Sequence, residues 1–461
     1  MAMDTTSETY FVEAQLSQHS PLARRNATIL VVGFAAIILV GTFLLMLPAS
    51  SAMERPLTFM EALFTATSAT TVTGLVVLTT ATDLSLFGQL VVLLLIEVGG
   101  VGFIAFSVVL FALIGRRLGV AERMLVQQSL GVMEAERIVR FTIYVLGVTI
   151  GVQLVGALLL WVRWAPTEGV ARGAYLALFH AVSAFCNAGF DLFAGTGSVL
   201  FGYGRDPWTL TVMMALIVIG GLGILVIMDL ITYPRDRRLS VHTRLMLTGS
   251  AVLILAGFAI VFFDDLFGGH AFAGMTTWER FWTSLFTVVS ARTAGLTIVP
   301  MDQLSEASAL VVMVSMFIGG APASMAGGVT LSTIAVIWVA VRSTVRGLPQ
   351  AVVFGRVLPL ETIAKAMAIM TVGTLLCFTI TLALLTDRTG AMFPVAFEVV
   401  SAFSNTGYSL GITGDLDTFG RLLIVFTMFW GRLGPLTLVV MLAQRERPTL
   451  VHYPTEQIVI G

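Results

Sequence analysis

Eight apolar runs, each near the length a helix needs to cross a bilayer, constrain this chain more than any other feature. They fall near 27–47, 86–114, 141–163, 209–231, 245–263, 308–340, 366–386 and 420–443. About 20 apolar residues make a spanning helix. Lipid offers the backbone no hydrogen-bond partner, so such runs must fold as helices. Composition agrees, because 11% of the 461 residues are charged against about 25% in soluble domains. So little charge cannot cover a globule of this size in water. That excludes a soluble enzyme, a nucleic-acid-binding protein and a disordered chain. The net charge of −1 supplies no basic field for nucleic acid. Cys186 and Cys377 sit in separate apolar stretches, so no disulfide framework is expected. Residues 1–20 are polar and lack a basic stretch followed by an apolar one, so they do not read as a cleaved signal peptide.

Charge sets the expected orientation. The segments before the first run, between successive pairs of runs and after the last hold 17 of the 26 basic residues, Arg24, Arg116, Arg235, Arg342, Arg346 and Arg445 among them. The opposite side holds 7, and Arg292 and Arg432 remain at membrane depth. Lys and Arg concentrate in cytoplasmic loops, so both termini and the inter-pair loops are expected in the cytoplasm. The outer loops are acidic, with Asp83, Asp191, Asp264 and Asp415 among their residues. They would gather cations at an entrance, although ordinary loop solubility accounts for the same residues.

Between the members of each pair lies a shorter apolar stretch, near 58–75, 173–190, 278–296 and 391–408. Each is too short to span and too apolar for an ordinary loop, which reads as re-entrant. Their ends align as Ser68-Ala-Thr-Thr-Val-Thr-Gly74-Leu75, Ser183-Ala-Phe-Cys-Asn-Ala-Gly189-Phe190, Ser290-Ala-Arg-Thr-Ala-Gly295-Leu296 and Ser401-Ala-Phe-Ser-Asn-Thr-Gly407-Tyr408. The third copy is one residue shorter. The glycines recur at intervals of 115, 106 and 112 residues, always between two spans. The expected architecture is therefore an all-α integral membrane protein. Four pseudo-symmetric span–pore-loop–span repeats surround a central pore, with eight transmembrane helices and four re-entrant pore helices. The units are a cytoplasmic segment 1–26, repeats 27–114, 141–231, 245–340 and 366–443, and a tail 444–461. Extended backbone at membrane depth is tolerated where its carbonyls line a wet cavity or bind ions. Rings of carbonyls can replace the hydration shell of a monovalent cation, and helix C-termini pointing inward favour positive charge. One Ser-Ala-x-x-x-Gly would read as small-residue helix packing; four at matching spacing do not.

These residues resemble the potassium transporter superfamily that includes TrkH, KtrB and plant HKT proteins, and look most like KtrB. The stretches Thr71-Val-Thr-Gly-Leu75, Arg292-Thr-Ala-Gly-Leu296 and Ser404-Asn-Thr-Gly-Tyr408 match filter sequences of that family. The resemblance runs over nearly the whole chain after about residue 25. It implies a potassium filter made by backbone carbonyls of Thr71, Val72, Thr73 and Gly74; Cys186, Asn187, Ala188 and Gly189; Thr293, Ala294 and Gly295; and Asn405, Thr406 and Gly407. In the family, serine at the first glycine goes with sodium preference, so glycine at all four positions implies potassium. Cys186 is unusual in a filter; it reads either as a site for silver or mercury or as a small buried residue. The resemblance further implies a multi-pass protein of the bacterial inner membrane and no covalent cofactor. Sodium then stimulates uptake, either as a coupled ion or as an activator alone. The implied assembly is a homodimer on a cytosolic ring of KtrA-type subunits that bind ATP or ADP. The tail Tyr453–Gly461 resembles tails that tuck into the dimer interface.

The sixth run is too long, and too rich in Gly, Pro and Ser, for one helix. Gly319, Gly320, Pro322, Gly327 and Gly328 break it over 316–332. Irregular backbone at that depth must line a cavity or pack in protein; a kinked packing helix is the plainer alternative. The family has an intramembrane gating loop here, held by an arginine at the position of Arg432. An intramembrane arginine is costly and usually functional. Arg292 beside the third filter should point away from a cation path and pair with a carboxylate, with Glu398 the expected filter brace and Glu61 the alternative. Glu97 and Asp229 read as helix-end partners ahead of coupling-ion ligands, and His180 as a packing residue. No Gly-x-Gly-x-x-Gly follows a strand-like run, so nucleotide control requires another polypeptide. His-Glu-x-x-His is absent, and the other ionisable groups in the spans form no catalytic set, so an intramembrane enzyme is not expected. A sodium-selective or unselective HKT-like carrier is the competing transport reading.

Overall fold

The computed structural model describes residues 21–101, 138–193, 203–268, 271–387 and 391–434. Most of the expected segment 1–26 and all of the tail 444–461 lie outside the described residues. The chain is mostly helical. Its elements are α1 (Pro21–Met46), α2 (Phe59–Thr70), α3 (Leu86–Val101), α4 (Ile138–Glu168), α5 (Val170–Phe185), α6 (Pro207–Gly221), α7 (Ile224–Asp236), α8 (Val241–Phe267), α9 (Thr277–Ala291), α10 (Glu306–Phe317), α11 (Leu331–Val345), α12 (Leu360–Asp387), α13 (Met392–Ser404) and α14 (Thr418–Leu433). An antiparallel hairpin of β1 (Val352–Val353) and β2 (Arg356–Val357) joins α11 to α12.

Helices α2, α5, α9 and α13 have 12, 16, 15 and 13 residues. At 1.5 Å per residue they are about 18–24 Å long, short of a bilayer core of about 30 Å. Two start from reciprocal caps: Thr58 with Glu61 on α2, and Thr276 with Glu279 on α9. Each short helix packs between an apolar helix before it and one after it: α2 between α1 and α3, α5 between α4 and α6, α9 between α8 and α10, α13 between α12 and α14. The units also close on one another. Helix α3 packs on α5, α6 on α9, α10 on α13, and α14 returns to α2. That cyclic order brings the C-terminal ends of the four short helices together.

Among the described residues three helices are long and apolar enough to cross a membrane, over Ile143–Glu168, Val241–Phe267 and Leu360–Thr386. The outer surface is apolar: Phe43 on α1, Leu158 on α4, Leu255 on α8 and Phe378 on α12 are all more than half exposed. A continuous apolar exterior of this kind suits lipid and not water. The fourth run was expected to form one helix over 209–231. Instead α6 and α7 meet at a bend of 102°. The chain turns at Leu222-Gly223, where Gly223 takes φ 79°, a conformation glycine reaches without a Cβ penalty.

Candidate functional site

Each short helix ends the same way. Val72, Asn187, Thr293 and Asn405 have φ of 58°, 58°, 73° and 53°, and two residues later Gly74, Gly189, Gly295 and Gly407 have 88°, 71°, 66° and 97°. In three units a reciprocal pair of hydrogen bonds stops the helix. Thr73 N donates to Ser68 O at 2.8 Å and Val72 N to Ala69 O at 3.2 Å; Ala188 N and Asn187 N, and Thr406 N and Asn405 N, do the same to their own Ser and Ala. This is the left-handed helix stop that favours Gly or Asn. Asn187 and Asn405 suit it, while β-branched Val72 is strained there. The motif serine also has a function. Its hydroxyl accepts from Gly74 N (3.0 Å) and Gly407 N (3.1 Å), and donates to Phe190 O (2.7 Å) and Leu296 O (2.8 Å). Ser68, Ser401, Ser183 and Ser290 thus each tie the extended segment back to its helix.

The four extended segments interlock. A Cβ on Gly74 would stand 2.5 Å from Ala188 O, and one on Gly189 would stand 2.9 Å from Ala294 O. One on Gly295 would overlap Thr406 O, and one on Gly407 would overlap Thr73 O. Every glycine therefore faces the carbonyl that precedes the next unit's glycine, and the fourth returns to the first. Side-chain bonds brace the ring: Asn405 Nδ2 donates to Thr73 Oγ1 and Met428 O, both at 2.9 Å. Four carbonyl oxygens, one from each of four segments of the same chain, thus lie against the four ring glycines.

Packed against Ser404 and Asn405 of the fourth ring segment, residues 318–330 between α10 and α11 carry no helix. The loop is hydrogen-bonded to two other units at their helix breaks. Ala321 N donates to Gly221 O (2.9 Å), Met325 N to Gly220 O (3.3 Å), and Ile224 N to Ala323 O (3.1 Å). Gly328 N donates to Gly431 O at 3.2 Å, and a Cβ on Gly327 would overlap the Asn405 amide. Gly319 N reaches Val329 O (2.9 Å), Gly320 O accepts from Leu331 N (2.9 Å), and Pro322 O lies against Gly223. Arg432 links the loop to the first unit. Its guanidinium donates to Met325 O, to Gly99 O at 2.6 Å and to Gly100 O at 3.0 Å. The first, second and fourth units thus each present glycine carbonyls to this loop or to the arginine that holds it.

Comparison with known proteins identifies the lineage. Residues 7–453 match the TrkH family, described as cation transport proteins. The chain belongs to the TrkH family. It is 36% identical to Ktr system potassium uptake protein B of Bacillus subtilis, over 94% of this chain and 96% of that one. It is 34% identical to the potassium/sodium uptake protein NtpJ of Enterococcus hirae, over 93% and 96% of the two chains. The crystal structure of the potassium transporter TrkH from Vibrio parahaemolyticus shares the fold, with a TM-score of 0.72 at 18% identity over 91% of this chain and 85% of that one.

One expected pairing in this TrkH-family chain is corrected. Arg292 and Glu398 do not form an ion pair. Fully buried Glu398 accepts hydroxyls from Ser409 (2.7 Å) and Thr413, both in the chain leaving the fourth ring segment. Its oxygens are satisfied within its own unit. Glu61 pairs instead with Arg55, at 2.6 Å. Arg292 is 8% exposed, and its Nε has no partner among the described residues. Cys186 Sγ lies 3.6 Å from both Glu97 and Gln153, behind the ring segment. Glu97 also accepts from Gln153 at 2.9 Å. Asp229 accepts from Ser240 N at 3.2 Å and so fastens the start of α8. His180 bridges Leu176 O (2.7 Å) and Asp191 (2.9 Å).

Sequence reasoning passed over one set of residues. A Cβ on Gly99, Gly220 or Gly431 would overlap the carbonyl of Thr70, Phe185 or Phe403, which are equivalent positions two residues after the motif serine. These glycines let the second helix of a unit touch the short helix just before it stops. The signal was a glycine, often paired, 24–31 residues after each ring glycine. Gly220→Ala is expected to lower the thermal midpoint in detergent measurably, by an overpacking cost of about 1–3 kcal/mol. Gly151→Ala, with open space around its Cβ position, is expected to leave it unchanged. Equal midpoints would show that the contact yields freely.

Proposed function

We propose that this chain is the pore-forming subunit of a bacterial potassium uptake system, a transporter and not a catalyst. The observation that carries the reading is the closed ring in which each glycine faces the next unit's carbonyl. Such a ring offers a dehydrated monovalent cation oxygen ligands in place of water, at the converging C-terminal ends of four helices. The backbone of Thr71–Gly74, Cys186–Gly189, Thr293–Gly295 and Asn405–Gly407 forms the filter, and potassium is cargo. In this reading the apolar helices make eight spans, α2, α5, α9 and α13 are re-entrant, and both termini face the cytoplasm. The expected gate over 316–332 narrows to the non-helical loop 318–330, which with Arg432 is the gate. Glu398 braces the fourth filter through Ser409 and Thr413. Relatives named as parts of a Ktr system support a partner, here a cytosolic KtrA-type ring carrying ATP or ADP, beneath a homodimer to which the 444–461 tail contributes. Sodium then acts as an activator.

A second reading, uptake of sodium as well as potassium, is favoured by the name of the Enterococcus hirae relative. Uptake in a potassium-transport-deficient bacterial strain, with and without a KtrA-type subunit, separates the two. Potassium uptake is expected to persist in excess sodium. Strong competition by sodium would support the second reading, and no uptake from well-expressed protein would overturn both.

A further inference from the structure

Away from the ring and the gate, a groove of about 750 Å³ runs between α8, α11 and the β1–β2 hairpin. Its walls include Leu245, Val252, Leu253, Ile334 and Trp338. Val252 is 58% exposed and Trp338 68%, so the groove opens sideways to the surroundings of the chain. At one end stand Arg342, in the last turn of α11, and Arg346, at its C-cap. Both are exposed, and among the described residues neither has an ion-pair partner. The end of a helix is partly negative, so an anion settles there only if these arginines outweigh it.

We propose that this groove binds an anionic phospholipid of the cytoplasmic leaflet, its acyl chain along the apolar walls and its phosphate at Arg342 and Arg346. The proposal rests on the membrane orientation given above. Charge complementarity selects the occupant. The cytoplasmic leaflet carries the anionic lipids, arginine binds phosphate through paired donors, and tryptophan favours the membrane interface. A zwitterionic lipid would fill the same walls without satisfying two positive charges. The groove also reaches the gate, because its wall residue Leu331 donates its amide to Gly320 O of the loop. A lipid with different affinity for open and closed loop arrangements would shift between them.

The test is binding, independent of transport. Purified protein is titrated in detergent with phosphatidylglycerol and, separately, phosphatidylcholine, and bound lipid is counted by native mass spectrometry. Phosphatidylglycerol is expected to bind in preference. R342Q/R346Q should weaken it about 30-fold, on a contribution of about 1 kcal/mol per arginine, and leave phosphatidylcholine unchanged. Val252→Trp, which fills the groove and keeps both arginines, should weaken both lipids. Parental phosphatidylglycerol binding in either variant overturns the proposal. So does a fall in dimer fraction with lipid binding unchanged, since the groove would then be a contact between copies of this chain. Failure of potassium uptake would not alter the binding result, so the two readings fail separately.

Discussion

Gly74→Ser is expected to raise sodium flux relative to potassium several-fold and to lower potassium flux, while Gly147→Ser changes neither. At Gly74 two costs coincide. Its φ of 88° penalises any side chain, by about 1–2 kcal/mol. Its Cβ would stand 2.5 Å from Ala188 O and 2.9 Å from Gly189 Cα, an overlap worth about 1–3 kcal/mol. The sum is smaller than a typical folding free energy of about 5–15 kcal/mol, so the protein should still fold. Relief must come from the ring, because both clashing atoms belong to it. In the proposed filter, parting the first and second units would displace the carbonyls that take the place of water around potassium. The four glycines should also rank. Gly189, where the Cβ would be 2.9 Å from Ala294 O, should tolerate serine best; Gly295, where it would overlap Thr406 O, should tolerate it least. Gly147 has open space around it. Potassium and sodium fluxes into liposomes, with folding checked by size-exclusion chromatography, test the series. A well-folded Gly74→Ser with parental ion preference would remove Gly74 from the filter.

The glycine ring was legible because its chemistry is local. A left-handed stop followed by a backbone crossing needs glycine, and four such needs leave four glycines at even spacing. The serine six residues before Gly74 and Gly407 was visible too, although its hydrogen bond to the extended segment emerges in three dimensions. The bend at Leu222-Gly223 was hidden because hydrophobicity does not drop there: apolar residues continue from α6 into α7. Gly220 and Gly221 marked the place, yet a glycine pair inside an apolar run also suits tight helix packing. The Arg292–Glu398 pairing failed for a different reason. It matched charges by sign alone, whereas a buried carboxylate needs donors of any kind, and Ser409 and Thr413 supply them from 11 and 15 residues along the same chain. Spacing cannot tell an ion pair from a hydroxyl clasp when both partners are at hand.

Arg432→Ala is expected to raise basal potassium flux about ten-fold to a hundred-fold, and Arg432→Lys should resemble it more than the parent. The guanidinium reaches three carbonyls on two segments: Met325 O in the loop, and Gly99 O and Gly100 O in α3. One nitrogen serves the loop and another serves α3, a division that the planar fork of arginine allows and the single ammonium of lysine does not. A charge-assisted hydrogen bond is worth about 1.5–3 kcal/mol, so losing the single link to Met325 accounts for that range of flux if it is made in the closed arrangement alone. Two effects share a direction. Without Arg432 the loop is no longer tied to the first unit, and a positive charge that repels potassium leaves the neighbourhood of the path. Removing residues 321–326 separates them, because it deletes the tie to Met325 and keeps the charge. Flux raised equally in both variants assigns the barrier to the loop; flux raised by Arg432→Ala and unchanged by the deletion assigns it to electrostatics. Unchanged flux in both well-folded proteins would falsify the gate and leave Arg432 a structural link between the fourth unit and the first.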